Sequence, residues 1–308
     1  MSNISILVIA YNKPDLLETT LHKASEFTKG CIYVHLDGPK AYGDGIELNR
    51  ECAEIILKYS QQQSRFKVRI QKSNLGGKDG VLSAINWFFE SEDFGIILEE
   101  DIDFNLGIIE FTEFARKALD LDGDIFGICF FNPIIDQSEN FILHHWLPWG
   151  WATSRKQWQS ISKLIIAPEL KVKRGNLGHP SGRFTVRYFL NRIIRFVKSG
   201  KVQTWDAQVH AVLLNQRKLS IFPAQTLTKH LGIRPEATHA DLVDWWSHLS
   251  IGEFSSGLEM KVSDKMNRQF EKAWRMNRIA FLSDQINRNQ IGRKVFKNLK
   301  HKRKEGSS

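Results

Sequence analysis

Apolar positions alternate between two periods along the first 130 residues. Residues 4–10 are continuously apolar except for Ser5, the pattern of a strand buried on both faces. Pro14 suits the first turn of a helix, and Leu16, Leu17, Thr20, Leu21 and Ala24 then keep helical spacing. Residues 31–36 give a second strand, closed by Asp37-Gly38-Pro39. Residues 46–59 give a second helix with Leu48, Cys52, Ile55 and Ile56 on one face. Residues 66–70 alternate apolar and basic, a third strand. A loop over residues 74–80 runs into a helix ending near Phe89, and Gly95, Ile96, Ile97 and Leu98 form a fourth, short strand. A helix over 108–119 and a strand over 125–131 complete this part.

Strands alternating with helices predict right-handed βαβ units and a largely parallel sheet covered on both faces, an α/β fold. In such sheets ligands bind beyond the carboxyl ends of the strands. Asn12, Asp37, Asn74 and the acidic group Glu99, Glu100, Asp101 and Asp103 all fall there. Four carboxylates at the tip of a buried strand repel one another unless a cation sits among them. Hard oxygen ligands of this kind suit Mg²⁺ or Mn²⁺; a solvated acidic turn is the other reading of the same residues. The turn after the first strand, Tyr11-Asn12-Lys13-Pro14, lacks the glycines of a dinucleotide fingerprint. Lys78 is followed by Asp79, so the 74–80 loop is no Walker A motif. Gly76 and Gly77 still leave room for backbone amides and the Lys78 ammonium to approach a diphosphate.

Composition narrows the class. At 308 residues, 42% hydrophobic and 25% charged, the chain is globular and long enough for a sizeable core. Three cysteines far apart in sequence give neither a disulfide framework nor a metal spacing, which fits a reducing cytosol. The N-terminus does not read as a signal peptide and no apolar run spans a bilayer, so a soluble, cytoplasmic protein is expected. The net charge of +9 is concentrated: residues 170–201 carry +9 and residues 293–305 carry +6, leaving −6 on the remainder. Two basic segments on an acidic body predict local docking surfaces rather than nucleic-acid binding.

The later sequence is less regular. Three of the nine tryptophans, Trp146, Trp149 and Trp151, fall within six residues. Such rings can stack on sugars or fill a core corner, and a role divided between core and binding surface is expected. Gly150 would permit a sharp turn between two of them. His144 and His145 are adjacent and would point oppositely on a strand, so they make no metal pair. Val186, Phe189, Leu190, Ile193, Ile194 and Val197 keep helical spacing among basic residues; this amphipathic helix would pack on the body or lie on an anionic membrane. Thr204 would cap a helix with Asp206 in its first turn, where helix-dipole stabilisation alone is an adequate explanation for an acid. A strand over 219–222 and a long helix over 266–287 follow.

Several stretches, in this order, resemble the nucleotide-sugar glycosyltransferases of the GT-A fold. The likeness is to bacterial family-2-like enzymes and relatives of N-acetylglucosaminyltransferase I. It rests on residues 6–12, Leu36-Asp37-Gly38-Pro39, Asn74-Leu75-Gly76-Gly77, residues 84–87 and Ile97-Leu98-Glu99-Glu100-Asp101. It continues through residues 148–153, Thr204-Trp205-Asp206-Ala207-Gln208, residues 219–223 and Ala237-Thr238-His239. The resemblance implies a mostly parallel, Rossmann-like central sheet flanked by helices. A nucleotide-sugar-binding half (1–135) and an acceptor half (136–250) would be followed by a helical basic extension (251–308). It implies Asp101 as the direct ligand of Mn²⁺ or Mg²⁺, with His239 near the metal or diphosphate. It also implies Ala10, Asn12, Asp37, Asn74, Lys78, Glu99 and Glu100 around the nucleotide, and Trp149, Gly150 and Trp151 beside donor and acceptor sugars. Asp206 resembles the catalytic base. Where relatives have Asn-Ile-Gly, this chain has Lys229-His230-Leu231-Gly232.

The activity so implied is metal-dependent, inverting transfer from a nucleotide sugar, UDP most often, to a hydroxyl of a bacterial surface glycan or glycolipid. The basic segments add an expectation of docking peripherally on the anionic inner membrane. A sugar-nucleotide nucleotidyltransferase would share sheet and carboxylates but carry a glycine-rich loop after the first strand, and Tyr11–Asp15 has no glycine. A non-catalytic nucleic-acid-binding protein would need a basic body, and this body is acidic.

Overall fold

The computed structural model describes residues 2–41, 45–135, 137–166, 191, 195, 204–232, 249–254, 256 and 258–273. The first half alternates as its periodicity predicts: β1 (Ser5–Ala10), α1 (Pro14–Phe27), β2 (Ile32–Leu36), α2 (Gly45–Gln62), β3 (Phe66–Ile70), α3 (Gly76–Ser91) and β4 (Phe94–Glu99). Next come β5 (Ile102–Phe104), α4 (Gly107–Leu121), β6 (Ile125–Cys129), β7 (Asn140–Leu143), β8 (Trp151–Ser154) and α5 (Arg155–Ile166). The described chain ends with α6 (Trp205–Asn215), β9 (Leu219–Phe222), β10 (Thr228–His230), β11 (Leu258–Val262) and α7 (Asp264–Ala273).

Nine strands form one sheet in the order β11-β7-β9-β6-β8-β4-β1-β2-β3, and β5 pairs with β10 in a separate two-stranded ribbon. β1 pairs in parallel with both β2 and β4. The chain steps outward from β1 to β2 and β3, then returns to the other side of β1 as β4. The sheet's topological switch point therefore lies between Ala10 and Glu99, where open α/β sheets offer a crevice. β8 runs antiparallel to β4 and β6 on either side of it, so the sheet is mixed though mostly parallel.

Side-chain alternation along the central strands divides the core into two layers. Leu7 and Ile9 of β1 and Ile97 of β4 join α3, α5 and α6 on one face. Ile6, Val8 and Ala10 with Ile96 and Leu98 join α1, α2 and α4 on the other. Pro14 opens α1, whose Leu17, Thr20, Leu21 and Ala24 are buried at one helical stripe. Burying each large apolar side chain contributes about 1.5–3 kcal/mol.

Four expectations change. α3 begins at Gly76, so Gly77, Lys78, Asp79 and Gly80 belong to its first turns rather than to a loop. α5 went unpredicted although Trp158, Ile161 and Ile165 are its buried stripe. Within the stretch expected as a helical basic extension (251–308), β11 joins the main sheet beside β7, and Met266 and Phe270 of α7 enter the core. The helix expected over 266–287 starts at Asp264 and is described to Ala273; the amphipathic stretch around 186–197 and the basic tail lie outside the described residues, apart from Asn191 and Arg195. Among the described residues no helix is long and apolar enough to cross a membrane.

Candidate functional site

The crevice is framed by backbone groups that carboxylates hold in place. Past the end of β1, the amides of Tyr11 and Asn12 donate to the two oxygens of Glu100 at 2.9 and 3.2 Å. Glu100 is buried, and burial raises its pKa while these amides and Lys13 oppose the shift. Both its oxygens thus serve the β1–α1 turn and position Asn12. The Ala10 carbonyl accepts from the Asp37 amide at 3.0 Å, continuing the ladder to the strand tips. Asn49, which the sequence did not single out, donates to the carbonyls of Tyr11 (2.6 Å) and Asp37 (2.8 Å) and so ties the two strand ends together.

Asp37 organises the next loop. Its carboxylate accepts from the amides of Gly38 and Leu75 at 2.9 Å and Gly76 at 3.1 Å, and from the Asn74 side chain at 3.1 Å. The Asn74 side chain also donates to the Gly38 carbonyl at 2.8 Å. The N-terminal amides of α3 would otherwise be unpaired, and a carboxylate there is favoured by the helix dipole. A Cβ at Gly80 would sit 3.1 Å from Asp37, which explains the small residue one turn into α3. Gly76, at φ +84°, adopts a conformation that favours glycine. Lys78 is half-buried in the first turn of the same helix.

Asp101 is the centre of the acidic group. It is buried, its carbonyl accepts from the Leu231 amide at 2.8 Å, and its Oδ2 meets the Lys13 ammonium at 2.5 Å and His230 Nε2 at 3.7 Å. A Cβ on Gly232 would fall 2.1 Å from that same oxygen, so only glycine lets the 230–232 turn close over it. Glu99 lies alongside: burial first, then the charges of Asp101 and Asp206, hold its carboxyl well above the usual range. Asp206, in the first turn of α6, is half-buried and reaches this cluster from the opposite half of the sheet. Thr204 occupies the N-cap position without a side-chain cap bond. Burial lowers the pKa of His230; Asp101 opposes that effect and Lys13 adds to it. Lys13 is raised because Asp101, Glu100 and Glu99 together outweigh its desolvation, the largest single effect.

A divalent metal fits this group by its donor chemistry. Among the described residues no three His, Cys, Asp or Glu side chains come together as a ligand set. Mg²⁺ or Mn²⁺ needs no such cage, because one or two carboxylates, substrate phosphates and water complete its shell. Burial, and after it the neighbouring charges of Asp101 and Asp206, raises the pKa of Glu99, while Lys13 opposes the shift. His239, the other expected metal residue, lies outside the described residues.

The remaining expected residues separate. Trp151 is fully buried in β8 and stacks on Phe126 at 5.7 Å, so it is core and cannot border a sugar. Trp149 is half-buried, with Phe131 at 4.7 Å and His230 at 5.3 Å from ring to ring, and lies at the acidic crevice. Gly150 between them has φ +81°, the sharp turn its residue type predicts, and is buried. Asp103 pairs with Lys23 of α1 and accepts the Phe104 amide at 2.9 Å, which locks β5 against α1. Lys13 and His230 were not anticipated. Their signal was positional: a lysine directly after Asn12 at the switch point, and a histidine in the departure at 229–232.

No protein-family model matches the chain, and no curated protein matches it in sequence. Among solved structures it is similar to the mannosyltransferase PcManGT from Pyrobaculum calidifontis in complex with GDP-Man and Mn²⁺. That likeness has a TM-score of 0.38 and 11% identity over 70% of this chain and 69% of that one. The apo-form glycosyltransferase GlyE in Streptococcus pneumoniae TIGR4 gives a TM-score of 0.31 and 12% identity over 57% of this chain and 40% of that one. Both are likenesses of broad architecture, and the ligands named for PcManGT are its own.

Proposed function

We propose that this chain is a divalent-metal-dependent, inverting glycosyltransferase that moves a sugar from a nucleotide donor, UDP-linked, to a hydroxyl of a surface glycan or glycolipid precursor. The observation that carries this reading is the meeting of Asp101 and Glu99, at the tip of β4, with the charge of Asp206 on α6, at the switch point of the sheet. The order of motifs shared with GT-A enzymes supports it.

In this reading Asp101 and His239 would hold Mn²⁺ or Mg²⁺ with the donor diphosphate. When bound, the metal supplies positive charge against the charge that develops on the departing diphosphate. Lys78 adds an ammonium to the same group. Asn12 and Asn74, fixed by Glu100 and Asp37, line the nucleotide, and Trp149 faces the sugars. Asp206 accepts the proton of the acceptor hydroxyl as that oxygen attacks the anomeric carbon from the face opposite the diphosphate. One base on that face gives inversion.

Two measurements test it. Melting temperatures across a panel of nucleotide sugars, with and without Mn²⁺, should rise for one nucleotide and require the metal. A flat panel would remove the reading. Asp206→Asn should lower transfer by roughly 10²–10⁴-fold, the usual contribution of a general base, while keeping the nucleotide-dependent rise. Near-normal transfer by that variant would exclude Asp206 as the base.

A further inference from the structure

We infer that Lys13 is the resident cation of the Asp101 carboxylate, and that a divalent metal engages Asp101 by displacing Lys13, which releases that ammonium toward the donor diphosphate. The inference rests on the reading of Asp101 as a metal ligand.

Three observations point to an exchange. First, Oδ2 of Asp101 is flanked by His230 at 3.7 Å and by Gly232, where even a methyl group would collide with it. Lys13 holds the same oxygen at 2.5 Å from a more exposed position, so a cation bound to Oδ2 competes with its ammonium. Second, Lys13 stands at the N-cap position of α1, where the helix dipole disfavours a cation. Its ammonium lies there because Asp101, Glu100 and Glu99 surround it with negative charge. Third, the Lys13 side chain is 35% exposed while that of Asp101 is 8% exposed. The lysine can swing into the crevice on its flexible stem; the carboxylate cannot move out. A dication next to Asp101 would repel the ammonium, and a diphosphate arriving with that dication would attract it.

The exchange gives Lys13 two partners at one point in space. Without metal it neutralises a buried carboxylate that would otherwise stand uncompensated. With metal and donor it becomes a second ammonium, beside Lys78, for the phosphates. It therefore sets the affinity of the free protein for metal.

The test uses the full chain and MnCl₂ alone, without nucleotide, comparing wild type, Lys13→Met and Lys13→Arg. Free Mn²⁺ is counted by electron paramagnetic resonance, and melting temperature is followed across the same titration. Removing the competing charge should tighten Mn²⁺ binding by about fivefold or more, the scale of one charge at this distance even with the full screening of water. Lys13→Met should also melt lower than wild type without metal and gain more from Mn²⁺, whereas Lys13→Arg should titrate like wild type. If the Met variant melts too early to titrate, Lys13→Gln serves in its place. Equal or weaker Mn²⁺ binding without the lysine, or no binding by any variant, overturns the exchange. A wild-type protein that shows the Mn²⁺ pattern but no nucleotide-dependent stabilisation would leave the exchange standing and overturn the glycosyltransferase reading instead.

Discussion

From β4 through β1 and β2 to β3 every pairing is parallel, and the loops at the strand tips are held by carboxylates that accept backbone amides. From β8 outward to β11 parallel and antiparallel pairs mix, and the packing depends on large rings: Trp146, Trp151, Trp158 and Trp205 with Phe126, Phe141 and Phe222. The first half places polar groups through its backbone; the second offers rigid aromatic volume. The charges of Asp101 and Asp206, one from each half, both act on Glu99 at the seam between the two.

If that contrast is right, the halves should fail differently. The largest effect is expected from Trp151→Ala, which removes a fully buried ring and should cost about 3–5 kcal/mol in urea unfolding. Trp149→Ala, at the rim, should stay within about 1 kcal/mol. Equal costs would mean that the aromatic scaffold is not organised as described.

Acid is next. Burial, with Arg69 adding to it, lowers the pKa of His35 in the first half to about 4, and burial does the same to His210 in the second. Arg69 Nε donates to Nδ1 of His35 at 3.0 Å, which leaves the ring proton on Nε2. Each histidine is kept neutral when folded and protonates near pH 6.5 when unfolded. Their contribution to stability is therefore full above pH 6.5 and is lost as pH falls toward 4. For fully buried His35 this amounts to about 3 kcal/mol. Unfolding free energies measured at pH 7 and pH 4.5 should show the loss, and His35→Asn should remove its own share of the slope. A pH-independent stability over this range would contradict the neutral assignment.

A smaller loss than that of Trp151 belongs to the polar framework. Asn49→Leu leaves the carbonyls of Tyr11 and Asp37 without their shared donor and should cost about 1–3 kcal/mol. It should also weaken nucleotide-dependent stabilisation more than Trp149→Ala weakens the fold. An unchanged melting temperature with nucleotide would show that the strand tips do not need this tie.

Much of the first half was legible because its information is local. Pro14, the apolar period of Leu17, Leu21 and Ala24, and an acidic group directly after an apolar run each announce an element within a few residues. The locations of Asp37, Asn74, Glu99 and Asp101 at one sheet edge followed from alternation alone. What each carboxylate does was not legible. Glu100 and Asp101 are neighbours, yet one faces the amides of Tyr11 and Asn12 and the other faces Lys13, a division decided by chain 88 residues away. The ribbon of β5 and β10 joins residues more than 120 apart over three positions each, too short to leave a period. Trp151 and Trp149 are two residues apart with opposite surroundings because β8 begins at Trp151 and inserts into the sheet.

That insertion has a consequence for how the chain is made. β4 and β6 both precede residue 135, yet the strand that pairs with each of them, β8, follows it. A chain emerging from synthesis up to residue 135 leaves one edge of β4 unpaired and β6 with neither of its strand neighbours, because β9 also comes later. The first half is therefore no free-standing module. Its sheet closes when the later half delivers a strand into its middle, and truncation before Trp151 would leave a product prone to edge-to-edge association.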